Sequence, residues 1–185
     1  MKSQASPFIV AIASVSGGGK TTAVAGLTHV LPNTKALYFD QYDCVGPEDI
    51  MDWLDKGADI NEWNLLPFMS DLGRLLAESL NYIILDFPFA DQHAQSSPYI
   101  DFTVFIDTPL DLALARRLMR DSSDAGSDEI LGDIKYYADR GRVAYLHMLE
   151  TIRPNSDLVV DGTHSITEVV HSIAESIRNI QKPYS

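Results

Sequence analysis

The stretch Ser14-Val15-Ser16-Gly17-Gly18-Gly19-Lys20-Thr21-Thr22 has the residue types that would hold a polyphosphate. Consecutive glycines let successive backbone amides curl around an anion without a Cβ in the way. A lysine following them can reach the β- and γ-phosphates of a nucleotide, and the next hydroxyl, Thr21, can ligate Mg²⁺. Ser16, Gly17, Gly18, Gly19 and Thr22 complete the expected cradle. The spacing follows G-x-x-x-x-G-K-[ST] with one departure, Ser14 at the first glycine, a position that only turns the chain out of the preceding strand. An apolar run at 8–13 precedes the loop and a helical pattern at 20–31 follows it. Strand, glycine-rich turn and helix is the order in which a helix N-terminus adds its partial positive charge to such a cradle. The expectation is a P-loop that binds a nucleoside triphosphate, ATP with Mg²⁺.

Two carboxylates stand where they could complete that chemistry. Asp86 ends the apolar run 82–85. It could hold Mg²⁺ through a water beside Thr21, or simply cap the turn before Pro88. Asp40 follows a second apolar run at 35–39. It could accept the proton of a hydroxyl attacking the γ-phosphate, with Asp43 as the nearby competitor and a turn aspartate as the plain alternative.

Arg116, Arg117 and Arg120 occupy positions i, i+1 and i+4 of a helical pattern, so Arg116 and Arg120 share a face. Arginines on a helix leading into the polar stretch 122–127 could close over phosphates, with Arg140 and Arg142 as further members. Some of these five would instead make structural ion pairs. Tyr42 and Trp63 lie between the second and third strands and could stack on a base or shape an acceptor pocket. Trp53 and Phe68, in the same segment, read as core. The five histidines show no metal-ligand spacing, and Cys44 is the single cysteine, so neither a disulfide framework nor a cysteine metal site is expected.

Positioning these residues takes alternating elements. Strands are expected at 8–13, 35–39, 82–85, 102–106 and 158–160. Helical patterns occupy 20–31, 47–55, 65–80, 109–121, 128–152 and 165–180, with 87–98 as a loop. Thr108 is the expected N-cap of the fourth helix, with Pro109 at its first position, and Ser165 with Glu168 forms a capping box for the last. Strands alternating with helices mean a parallel sheet covered on both faces, an α/β three-layer fold whose ligands sit at the carboxyl ends of the strands.

The chain has 185 residues, 45% hydrophobic and 22% charged, which fits one compact unit over 1–185. A net charge of −12 argues against a nucleic-acid backbone as partner. Seven of the fourteen Lys and Arg nevertheless fall between Arg116 and Arg153, which suits a small polyanion. No apolar run approaches the ~20 residues of a membrane span, so a cytoplasmic setting is expected; a homo-oligomer is compatible with the composition.

Together these features resemble the P-loop small-molecule kinases of the uridine kinase and nicotinamide riboside kinase group. The resemblance rests on Ser14 to Thr22, on Asp40-Gln41-Tyr42, and on Phe105-Ile106-Asp107-Thr108-Pro109 leading to Arg116-Arg117-Leu118-Met119-Arg120-Asp121. It implies sheet order 2-3-1-4-5, Asp40 as catalytic base, and Arg120 with Arg116 or Arg117 on the triphosphate. It also implies a loop at Asp161-Gly162-Thr163 lying against the adenine, an acceptor-binding segment at about 41–68 and a lid at about 116–145. The implied activity is transfer of a γ-phosphate to a hydroxyl of a small metabolite, a nucleoside first of all. Where the family's third strand commonly ends Glu-Gly, this one ends Asp86-Phe87-Pro88.

Overall fold

A computed structural model describes residues 6–122 and 126–181. Five strands form one parallel sheet: β1 (Phe8–Ala13), β2 (Thr34–Tyr38), β3 (Tyr82–Asp86), β4 (Phe102–Asp107) and β5 (Leu158–Asp161), in the order β2-β3-β1-β4-β5. That is the order the resemblance implies. The helices are α1 (Lys20–Val30), α2 (Ile50–Asp55), α3 (Leu66–Leu76), α4 (Leu110–Asp121), α5 (Ser127–Tyr136), α6 (Arg142–Thr151) and α7 (Ile166–Gln181).

The inner strands are apolar along their length because both of their faces are covered. Alternation along each strand divides the core in two. Ile9, Ala11, Ile83, Leu85 and Phe105 point into a layer with Phe39, Phe68, Leu72, Phe87, Ala113 and Tyr145. Val10, Ile12, Ile84, Val104 and Ile106 point the other way, onto Val24 and Leu27 of α1 and Val170, Ile173 and Ile177 of α7.

Register determines which residues share an end of the sheet. Ile12 and Tyr38 both pair with Asp86, Ala13 pairs with Phe105, and Asp107 pairs with Asp161. The residues following each strand therefore emerge on one rim, which collects the P-loop, Asp40 and Gly162.

Several elements differ in detail from the sequence expectation. β2 stops at Tyr38, and Asp40 sits in a 3₁₀ turn, Phe39–Gln41. α2 starts at Ile50 because the Asp49 carboxylate accepts the amides of Met51 and Asp52 at 2.7 and 3.1 Å. α3 ends at Leu76 rather than at 80, its last turn tightened by i→i+3 bonds from the Ala77 and Glu78 amides. The helical pattern 128–152 is interrupted by a π-helical turn, Tyr137–Gly141. Eight residues of regular helix would leave Tyr137 and Tyr145 about 80° apart around the axis. The wider turn brings both rings inward, where they meet edge to face at 5.1 Å. The capping box of α7 forms as expected: Ser165 donates its amide and hydroxyl to the Glu168 carboxylate, and the Glu168 amide donates to Ser165 Oγ. The polar stretch 122–127 falls partly outside the described residues, at 123–125. Among the described residues no helix is long and apolar enough to cross a membrane.

Candidate active site

The loop between β1 and α1 is built against α4. Gly17 has φ of +80°, and a Cβ on it would lie 2.0 Å from the Ala113 carbonyl oxygen, so both its backbone and its neighbour demand glycine. Ser14, the departure from the usual motif, is buried and donates its hydroxyl to the Val15 carbonyl at 3.0 Å, which also accepts the Gly18 amide at 2.9 Å. The serine thus closes the loop from within. Gly19 is the N-cap of α1, and its carbonyl accepts the Ala23 amide at 3.0 Å, opening the helical ladder. The amides of Lys20, Thr21 and Thr22 belong to the first helical turn, where no earlier carbonyl of the helix serves them. They are free to meet an anion.

The residues at 14–22 line a cavity of about 620 Å³ together with Asp40, Pro88, Arg116, Arg120 and Met148. Phosphate cradle, candidate base and two arginines share one space. Lys20 donates to Asp86; the lysine side chain is 11% exposed and the carboxylate 2%. Asp86 is thereby paired at the end of β3, while the Thr21 side of the loop lines the cavity. Hard oxygen donors in that position suit Mg²⁺, which keeps waters and phosphate oxygens in most of its shell. Among the described residues no group of three or more His, Cys, Asp or Glu could hold a metal by itself.

The arginines divide. Arg116 donates to the Gly162 carbonyl at 3.1 Å and lines the cavity. Arg120 also lines it while paired with its neighbour Asp121 at 2.6 and 3.0 Å. The Arg120 pKa is raised, first by the hydrogen bond to Asp121, with smaller contributions from Asp40 and Tyr145. Arg117 lies near Tyr137 and Asp121, and its Nε is buried without a partner. Arg140 lies near Asp49 and Arg142 near Tyr137, and neither lines the cavity.

A second cavity of about 190 Å³ adjoins the first through Gly18, Gly19, Thr22 and Arg116. Ile106, Ile166 and Val169 give it apolar walls, and Gly162 and His164 close it. The carboxylate of Asp161 is turned to its own loop, accepting the Thr163 amide and hydroxyl at 2.8 and 2.6 Å, which lowers its pKa. Of the expected pair Asp161 and Gly162, only the glycine lines this pocket.

Neither of the expected acceptor aromatics lines the large cavity. Tyr42 packs edge to face on Phe68 at 5.3 Å and donates its hydroxyl to Asp71 at 3.0 Å. Trp63 packs on Phe39 and Phe89 at 5.8 and 5.3 Å, and its Nε1 is buried without a partner. Both belong to the aromatic layer that supports Phe39, the residue before Asp40. Two residues with no expected role contribute here. His93, buried, lies 3.1 Å from the Trp63 carbonyl through Nε2 and accepts the Gln95 amide at Nδ1, fastening the loop after β3 to the chain before α3. Tyr145 lies one turn before Met148 on α6, with its hydroxyl buried and unpaired. Neither carries a motif; each becomes visible only when the chain is folded.

No protein-family model matches the chain. Among curated proteins it is similar to the uridine kinase of Borrelia hermsii, 26% identical with 94% of this chain and 96% of that protein covered. It is likewise similar to the uridine kinase of Borrelia turicatae, 27% identical over 85% of this chain and 88% of that one. The uridine kinase of Schizosaccharomyces pombe is 28% identical over 91% of this chain and 44% of its own length. Solved structures with the same fold include the deoxyadenosine kinase of M. mycoides, TM-score 0.53 at 15% identity, covering 94% of this chain and 100% of that one. The gluconokinase of Sinorhizobium meliloti has TM-score 0.52 at 14% identity, covering 95% and 98%. The chain is thus similar to uridine kinases over most of its length and shares the fold of these solved kinase structures.

Proposed function

We propose that this protein is an ATP- and Mg²⁺-dependent kinase that transfers the γ-phosphate to a hydroxyl of a small uncharged metabolite, a nucleoside in the first instance. One observation carries the reading. Asp40, Lys20, Thr21, the amides of the α1 N-terminus, Arg116 and Arg120 face a single cavity. In this reading the loop amides and Lys20 hold the β- and γ-phosphates, and Thr21 and Asp86 supply the protein's share of the Mg²⁺ shell. Bound Mg²⁺ would neutralise charge on the transferring phosphoryl group. Asp40 accepts the proton of the attacking hydroxyl, and Arg116 and Arg120 stabilise the equatorial oxygens. Such a site works by positioning and electrostatics, and needs no covalent intermediate.

The small cavity walled by Ile106, Ile166 and Val169 is the proposed seat of the base, with Gly162 against it. The acceptor segment at about 41–68 and the lid at about 116–145 keep those roles in the proposal. An uncharged acceptor is supported by the scarcity of cations there, since only Lys56 and Arg74 fall between Tyr42 and Leu80. The nucleoside class is supported by the likeness to uridine kinases.

The test is ATP consumption by purified protein with Mg²⁺ across a panel of nucleosides, gluconate and other polyols, with a no-acceptor control and mass spectrometry of products. A phosphorylated nucleoside is the expected result. A phosphorylated polyol would move the acceptor class, and ATP loss unaffected by every acceptor would overturn the kinase reading. Asp40→Asn should keep ATP binding and lower transfer by about 10²-fold or more, the usual range for a general base. Near-normal transfer by that variant would remove Asp40 from the role.

A further inference from the structure

The carbonyl of Gly18 points away from the phosphate cradle, toward the end of β4. There it accepts a hydrogen bond from Thr108 Oγ1 at 2.9 Å, and Thr108 is 1% exposed. The sequence assigns this threonine to capping α4, yet the structure begins that helix from Pro109 with no side-chain cap. The hydroxyl is spent on the P-loop instead.

The geometry of the peptide unit gives that bond a consequence. Carbonyl and amide of one trans peptide point in opposite directions within one plane. Holding the Gly18 carbonyl on the Thr108 side therefore aims the Gly19 amide the other way, toward the cavities that Gly19 lines. A peptide between two glycines has little intrinsic preference for either orientation. Something outside the loop has to choose, and the hydroxyl of Thr108 is so placed.

Thr108 is itself held. A Cβ on Gly162 would lie 1.8 Å from Thr108 Oγ1 and 2.9 Å from its Cβ, so the glycine backbone is pressed directly against the side chain. The Gly162 amide donates to Asp107 at 2.9 Å, and its carbonyl accepts Arg116 at 3.1 Å. Thr108 is thus bounded on that side by the backbone of Gly162.

We infer that Thr108 is a positioning residue for phosphate binding, fixing the Gly18–Gly19 peptide with its amide presented to the anion, and that the loop at Gly162 holds it in that setting. The inference rests on the reading of residues 17–22 as a phosphate cradle and is independent of the acceptor.

The experiment compares wild type, Thr108→Val and Thr108→Ser for binding of Mg·ATP, inorganic tripolyphosphate and adenosine by calorimetry. Valine keeps the shape and removes the donor; serine keeps the donor. Thr108→Val should weaken Mg·ATP and tripolyphosphate alike by about five- to thirtyfold, the effect of losing one hydrogen bond to a buried carbonyl. Adenosine binding should be unchanged, and Thr108→Ser should stay within about twofold of wild type for all three ligands. A purely structural role would weaken adenosine as well, or would not be rescued by serine, and either result overturns the inference. So does equal binding of tripolyphosphate by wild type and Thr108→Val. Failure of the wild type to bind tripolyphosphate or Mg·ATP would overturn the cradle reading itself. If the valine variant does not fold, Thr108→Ser against Thr108→Cys makes the same comparison, because a thiol is a weak donor of similar size.

Discussion

Lys20 and Asp86 illustrate how two residues read from separate motifs depend on each other. The ammonium and carboxylate satisfy one another, almost wholly out of water. A buried pair of this kind contributes little net stability when intact, but removing one partner strands the other's charge. Asp86→Ala should therefore lower stability by about 3 kcal/mol, the low end for a broken buried pair, because Lys20 keeps slight access to water. Urea unfolding at neutral pH is the check. Lys20→Met combined with Asp86→Ala should recover much of that loss, while neither variant regains phosphate binding. A double variant as unstable as Asp86→Ala alone would show that Asp86 matters through its packing at the end of β3 rather than through the lysine.

At the scale of elements, the chain following β2 is fastened to α3 through Tyr42. Burial, followed by the hydrogen bond to Asp71, pushes the Tyr42 pKa up to about 12. A phenol whose pKa is higher in the folded chain than in the unfolded one, near 10, stabilises the fold fully below pH 10. That contribution is lost as pH rises from about 10 to about 12, because the unfolded chain can ionise the tyrosine and the folded one resists. Tyr42→Phe should cost about 1 kcal/mol at neutral pH and flatten the stability profile between those limits. Denaturant titrations of both proteins across that range decide it, and a slope unchanged in the variant would assign it to another group. Legibility in the sequence follows a similar division. The five strands and the P-loop were readable because apolar runs, glycines and a Gly-Lys-Thr sequence act locally. The π-helical turn was not, since a lone Gly141 between Tyr136 and Arg142 is tolerated within a helical pattern; the demand that Tyr137 and Tyr145 face one core reveals it. Thr108 was misread for a related reason: a threonine before proline at a helix start reads as a cap, and its distant partner, Gly18, leaves no mark nearby. Tyr42 and Trp63 read as candidates for an acceptor pocket, but spacing cannot tell a wall of the cavity from the aromatic layer behind it.

On the scale of the whole molecule, the sheet separates two cores with different duties. One contains Phe39, Phe87, Ala113 and Tyr145, residues adjoining Asp40, the P-loop and Arg120, so its packing and the site's geometry are inseparable. The other, between the sheet and α1 with α7, is built mostly from aliphatic side chains; the C-terminal end of α7 reaches Val30 through Arg178 and Tyr82 through Gln181, at the rim opposite the cavity. Stability and chemistry should therefore be separable by position. Ile177 is fully buried in the second core, near the end of α7 and far along it from Ile166 and Val169, which wall the small cavity. Ile177→Ala should cost about 3 kcal/mol through lost burial and the void it leaves. The Kd for Mg·ATP measured well below the transition should stay within about twofold of wild type, since no group that meets the nucleotide moves. The contrasting substitution, Phe39→Leu, exchanges an aromatic for a smaller apolar residue directly before Asp40 and should cost less stability than Ile177→Ala yet lower phosphoryl transfer more. Thermal melts, nucleotide binding and phosphoryl-transfer rates on the two purified variants test the pair together. If Ile177→Ala weakened ATP binding as strongly as it weakened the fold, the rims would be coupled through α7, and the division of labour between the two cores would fail.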